Sequence, residues 1–240
     1  MTKAQNEWQK SAHQDAASIG TDAAGKLRAT SMTNALTHDN DKFAREVVAH
    51  PGWKATRSSS MGPYNIIMAD PPWRFEPRNR KSGLGKSPDR HYGTMTTTQL
   101  IDPSTCPDVA KDAVLAMWVY DPMLPAALVV AEAWGFKFVT VLFRWLKTTK
   151  NGKLHYGTGY HTRGGGCEEV WLFKRGKGLP VLRHDIRKEF YAPLREHSRK
   201  PDQVAQWLVD LYGDKPRLEM FARTKRPGWN CHGFETGKFT

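Results

Sequence analysis

Cysteine is scarce in this chain. Cys106, Cys167 and Cys231 are the whole supply among 240 residues, and no pair stands in a C-x-x-C spacing. Scattered thiols exclude a disulfide framework and a cysteine-built zinc site, and they fit a reducing compartment. His155 and His161 sit in a Gly-rich stretch with no carboxylate or cysteine at ligand spacing. Solvated loop histidines and no metal are therefore expected. Long apolar runs are missing as well, and nothing approaches the roughly 20 residues of a membrane-spanning helix. Met1 to Lys10 is polar and lacks the apolar core of a secretory leader. Internal repeats are absent.

Acid is short too. The chain has 36 Lys and Arg against 24 Asp and Glu, a net charge of +12. That excess favours a polyanionic partner, nucleic acid before membrane. It is also concentrated. Residues 74–91 hold six basic and two acidic side chains, and residues 137–200 hold 15 and five, whereas 92–136 hold one and five.

What is present is an alternation of short apolar runs and amphipathic stretches. Residues 1–45 are polar and weakly periodic, and read as a mobile or partly helical arm ahead of a domain over 46–240. Strands are expected at Tyr64–Ala69, Ala113–Tyr120, Phe136–Trp145, Glu168–Phe173 and Arg217–Ala222. Helices are expected at Pro122–Trp134, with Pro near its start, and at Pro201–Tyr212, closed by Gly213. Arg74–His91 and Lys147–Gly166 read as long irregular segments, of the length at which loops are commonly functional. Alternating strands and helices predict an α/β fold with helices on both faces of the sheet.

Chemistry concentrates at Asp70-Pro71-Pro72-Trp73, directly after the first expected strand. In open α/β sheets, ligands gather at the carboxyl ends of strands. The four residues suit methyl transfer to a planar exocyclic amine, whose lone pair is delocalised into its ring. Hydrogen bonds that accept both amine protons push the nitrogen toward tetrahedral geometry and free the pair. Asp70 can accept one through a charge-assisted bond, and the Pro71 carbonyl the other. Proline fixes φ and has no N–H, so these carbonyls are expected to be held with little local competition. Trp73 offers a stacking face. A proline-rich turn with a capping Asp and a core Trp is the competing reading.

Four further motifs follow in order: His91-Tyr92-Gly93-Thr94-Met95, Arg195-Glu196-His197-Ser198-Arg199-Lys200-Pro201-Asp202, Leu218-Glu219-Met220-Phe221-Ala222-Arg223, and Pro227-Gly228-Trp229. With the tetrapeptide they make the chain resemble the adenine N6-methyltransferases related to the catalytic subunit of the eukaryotic mRNA adenosine methyltransferase. Their compact bacterial and phage relatives are more similar still. The resemblance spans roughly residues 60–235. It implies a Rossmann-like fold with a mostly parallel sheet, S-adenosylmethionine as cofactor, and a catalytic motif that precedes the cofactor motif. By the same resemblance Asp70, Pro71, Pro72, Trp73 and Tyr92 form the catalytic centre. Asp70, Lys200, Phe221, Arg223, Phe234 and Glu235 are placed on the cofactor, and Glu168 matches a family glutamate. A homodimer through Lys147–Gly166 and a bacterial or phage-infected cytoplasm are the implied assembly and setting.

The basic segments supply candidate phosphate contacts: Arg74, Arg78, Arg80, Lys81, Lys86 and Arg90 in the first, and Lys147, Lys150, Lys153 and Arg163 in the second. Two departures from the family pattern stand out. Phe234 occupies a position where bacterial relatives often carry an amide, and His50 to Ser60 has no acid where the family commonly places one. The expected reaction is methyl transfer to the N6 amine of adenine in DNA. Adenosine in RNA, the cytosine amine, and a noncatalytic nucleic-acid-binding subunit are the alternatives. Cytosine enzymes usually place Ser before the two prolines and Tyr after them, and noncatalytic subunits lose the acidic tetrapeptide.

Overall fold

The computed structural model describes residues 62–74, 93–157, 162–233 and 235–239. The expected arm, the start of the domain and His50–Ser60 lie outside the described residues. So do Arg78, Arg80, Lys81, Lys86, Arg90, Tyr92, His161 and Phe234.

Strand β1, Tyr64–Ala69, forms where expected, and its two adjacent isoleucines suit a strand buried on both faces. Helix α1, Thr97–Ile101, was not expected, although Thr96 and Gln99 build a reciprocal capping box at its start. Strand β2 runs Val109–Val119, four residues earlier than its apolar run, because its partly exposed first half still pairs with β1. A 3-10 turn at Asp121–Met123 leads into α2, Leu124–Ala133. Strand β3 spans Lys137–Thr148 and β4 spans Cys167–Arg175. Strand β5, Glu189–Pro193, is new. Helix α3, Gln203–Tyr212, buries Val204, Ala205, Leu208, Leu211 and Tyr212, and ends at Gly213. There φ is +84°, a conformation that glycine adopts without strain. Strands β6, Arg217–Met220, and β7, Asn230–His232, complete the sheet.

The seven strands lie in the order β5-β3-β4-β2-β1-β6-β7. Strand β4 is antiparallel to both β2 and β3, and every other pairing is parallel. Six strands therefore point their carboxyl ends at one edge, and β4 starts from that same edge. The expected mostly parallel sheet stands, with one reversed strand in the middle.

Alternation along the strands feeds two cores. Ile67, Ala69, Leu115 and Met117 meet Leu100 of α1 and Ala127 and Val130 of α2. Ile66, Met68, Ala116 and Trp118 meet Val204 and Leu208 of α3 on the opposite face. Helices thus cover both faces, as the pattern predicted, in a Rossmann-like arrangement.

Candidate active site

The carboxyl edge of the sheet collects the expected side chains. Asp70 follows β1, Phe221 follows β6, and Lys147 lies near the end of β3. The reversal of β4 brings Glu168, its second residue, to the same edge. Pro201 turns the chain into α3 and leaves Lys200 facing the end of β1.

Four charges alternate in a row. Lys200 Nζ donates to Asp70 Oδ2 at 2.8 Å and approaches Glu168 Oε2 at 3.4 Å, while Lys147 Nζ donates to Glu168 Oε1 at 2.6 Å. Lys200 also lies 5.6 Å from the centre of the Trp118 ring. Burial pushes the Asp70 carboxyl above its ordinary range even against the Lys200 ammonium. Burial acts the same way on Glu168, but Lys200 and Lys147 together outweigh it and hold that carboxyl low. The two carboxylates of the row are thus shifted in opposite directions.

The tetrapeptide is fixed by its own backbone. Trp73 N–H donates to the Pro71 carbonyl at 2.8 Å, and Met95 N–H donates to the Pro72 carbonyl at 2.8 Å. The expectation that these carbonyls have little local competition is therefore corrected. Each accepts one bond, which aims it and leaves a second lone pair. A bridge between Trp73 and Met95 brings Gly93-Thr94-Met95, the end of the second motif, beside the first. Trp73 is only 5 % exposed and belongs to the core on the α2 face. Its indole N–H donates to the Trp118 carbonyl at 3.4 Å. The ring is a core tryptophan that also reaches the cleft wall.

Two cavities meet at Asp70 and Lys200. The larger, about 660 Å³, is lined by Pro71, Trp73, Tyr120, Lys147 and Glu168. The other is lined by Met68, Glu219, Phe221, Arg223 and Phe239. Asp70, Trp118, Ser198 and Lys200 are common to both. Asp70 therefore borders both cavities at once.

The second cavity is lined by charged and aromatic side chains and shaped by backbone. Arg223 Nε donates to Glu235 Oε2 at 2.9 Å, and its guanidinium lies 4.8 Å from the centre of the Phe239 ring. Lys238 binds the other oxygen of Glu235 at 2.6 Å. Phe221 holds φ at +60°, a costly conformation for an aromatic residue, and stacks on Trp134 at 6.4 Å. Any side chain at Gly233 would strike the Ala222 backbone, so glycine lets the turn after β7 close on this wall. The donor set suits S-adenosylmethionine, but the cavity, about 30 Å³ in this structure, must widen to admit it. Lys200 matches a carboxylate, Asp70 a cationic group, and Phe221 and Phe239 a purine, while Glu235 stands behind Arg223.

Other expected residues fall elsewhere. Lys147, read as a phosphate contact, is an ion-paired wall residue whose side chain is 12 % exposed. Lys150, Lys153 and Arg163 are exposed on the segment between β3 and β4, and Arg74 is half-buried. His155, read as a solvated loop residue, lines the larger cavity. Sequence reasoning missed two features. One is the pairing of Lys147 with Glu168, which depends on the β3–β4 register. The other is a network in which Arg226 binds the buried Glu219 at 2.7 Å and the exposed Asp202 at 2.6 Å. The described residues contain no group of three or more His, Cys, Asp or Glu placed to hold a metal.

Residues 64–235 match the family described as MT-A70. The chain belongs to the MT-A70 family. With that family come S-adenosylmethionine dependence and methyltransferase chemistry on nucleic acid. Among similar proteins is the type II methyltransferase M.MunI of a Mycoplasma species, 28 % identical over 72 % of this chain and 77 % of that one. An Arabidopsis thaliana N(6)-adenosine-methyltransferase MT-A70-like protein is 26 % identical over 73 % of this chain and 24 % of its own. The human N(6)-adenosine-methyltransferase catalytic subunit METTL3 is 23 % identical over 71 % and 28 %. This MT-A70 chain therefore spans about a quarter of the length of those eukaryotic relatives and most of the bacterial one. Among its described residues no helix is long and apolar enough to cross a membrane.

Proposed function

We propose that this chain transfers a methyl group from S-adenosylmethionine to the N6 amine of adenine in DNA. The observation that carries the reading is the meeting of two cavities at one buried, lysine-paired carboxylate. The target adenine enters the larger cavity from Pro71 and Tyr120, and the cofactor occupies the side of Phe221 and Arg223. Asp70 and the second lone pair of the Pro71 carbonyl accept the two amine protons. They draw the nitrogen toward the geometry it must reach, so catalysis is positioning and preorganised hydrogen bonding. When bound, S-adenosylmethionine supplies a methyl group on a positively charged sulfur that leaves as a neutral thioether. The surplus proton on the methylated nitrogen passes to Asp70, whose burial favours holding it, and then to water. Lys200 orients Asp70 and offers a cation to the cofactor carboxylate. The intact acidic tetrapeptide speaks against a noncatalytic subunit.

DNA is preferred because the bacterial relative matches most of its own length, and its name describes a type II methyltransferase. Pairing of two copies is a separate proposal, read by sedimentation of the full chain. A bacterial or phage-infected cytoplasm is the setting that this reading implies.

The test is transfer of labelled methyl to matched duplex DNA, single-stranded DNA and RNA, followed by digestion to nucleosides. Label in N6-methyldeoxyadenosine, lost in Asp70→Ala, is the expected result. Label on cytosine, label on RNA alone, or full activity in Asp70→Ala overturns it.

A further inference from the structure

The segment joining β3 to β4 carries two apolar side chains that the fold leaves in the open. Leu154 is 47 % exposed and Tyr156 59 %. The backbone beneath them is tied down. Thr149 N–H donates to the Lys153 carbonyl at 2.7 Å, His155 N–H donates to the Lys147 carbonyl at 2.9 Å, and Thr148 bridges Leu154. His155, between the two, lines the cleft that holds Asp70 and Pro71. An apolar tip therefore stands beside the mouth of that cleft. Lys150 and Lys153 are exposed on the same turn, and Arg163 on the returning part of the segment.

Exposed apolar side chains beside a cleft mark a contact surface, and a collar of cations selects a polyanion for it. The geometry of the chemistry adds a demand. An adenine stacked in a duplex cannot present its amine to a carboxylate inside a cleft, so it must leave the stack. The vacated space is costly, and apolar or aromatic side chains that enter base steps offset that cost.

We propose that Tyr156 enters the base stack of a duplex substrate and fills the place of the extruded adenine, with Leu154 against the neighbouring base. The proposal rests on the methyl-transfer reading above, and it makes the 149–156 turn the duplex-opening element. Lys150, Lys153 and Arg163 hold the flanking phosphates while the ring inserts.

The test compares wild type, Tyr156→Ala and Tyr156→Trp on duplex DNA, on the same strand unpaired, and on a duplex with a mismatch opposite the target. Tyr156→Ala is expected to lose about tenfold in kcat/KM on the matched duplex, a modest share of one stacking contact. It should keep its rate within about twofold on the unpaired and mismatched substrates, and Tyr156→Trp should restore the duplex rate. A duplex carrying 2-aminopurine at the target position reads base extrusion without any methyl transfer. Its fluorescence should rise with wild type and rise less with Tyr156→Ala. An equal loss on paired and unpaired strands overturns the proposal, as does an unchanged fluorescence response. A shift from dimer to monomer in Tyr156→Ala also overturns it and assigns the tip to contact between copies. Failure of the methyl-transfer reading shows separately, as absence of label with wild type on every substrate.

Discussion

Lys200 sits between two carboxylates on which it has unequal effect. For Asp70, burial outweighs the nearby ammonium, so the folded chain disfavours its ionised form. Its pKa is raised on folding, and above the ordinary carboxylate range its ionisation costs stability. Asp70→Asn should therefore melt no lower than wild type at neutral pH while losing transfer. The two melting curves should converge as pH falls below that range, which calorimetry across pH can follow. Glu168 has the opposite sign. Lys200 and Lys147 hold it low, so its contribution is present above the ordinary carboxylate range and fades as pH falls through its depressed value. Glu168→Gln should cost roughly 1.5–3 kcal/mol at neutral pH and progressively less in acid, measured by denaturant midpoints. Stability at neutral pH is thus given up at the residue proposed for chemistry and recovered one lysine away.

At the scale of elements, α3 is the support for Lys200, which lies three residues before its first turn. Leu208 is fully buried between α3 and the sheet. Leu208→Ala should cost about 2–5 kcal/mol, read from urea unfolding, and no residue of the charged row is touched by that change. The elements also show what a sequence can disclose. Strand β1 and helix α3 were legible to the residue or nearly so, because Ile66–Ala69 is continuously apolar and Val204, Leu208 and Leu211 repeat at helical spacing. Strand β5 was not, since only Phe190 and Ala192 face inward between Glu189, Tyr191 and Pro193. Strand β7 has three half-buried residues and no pattern to find. The direction of β4 leaves no local mark at all, because side-chain alternation is the same for either direction. Asp70, Lys200, Phe221 and Arg223 were legible through their motifs. The Lys147–Glu168 pair was not, because it spans 21 positions and exists only through strand register. Asp202, by contrast, was visible as part of a motif, but its partner Arg226 lies 24 positions away and meets it only in the folded chain.

For the whole molecule the governing quantity is charge. A chain of net charge +12 acting on DNA should bind it with strong salt dependence. Each cation withdrawn from a phosphate lowers the slope of log affinity against log salt by roughly 0.9. Replacing Lys150, Lys153 and Arg163 together by Gln should flatten that slope by up to about three such steps, measured by fluorescence anisotropy over a salt series. The methyl donor's affinity should not move, since none of the three lines the cavity of Phe221 and Arg223.

The reversed strand has a last consequence. Because β4 begins at the carboxyl edge, the chain must cross from β3 to β4 on the side where the reaction occurs, and residues 149–166 are that crossing. The cavity of Phe221 and Arg223 is built mainly from β6, the residues after it and the approach to α3, and no residue of the crossing lines it. Such a layout is modular. Changes in that connection can reshape the cavity that His155 lines and leave the cavity of Phe221 and Arg223 as it is.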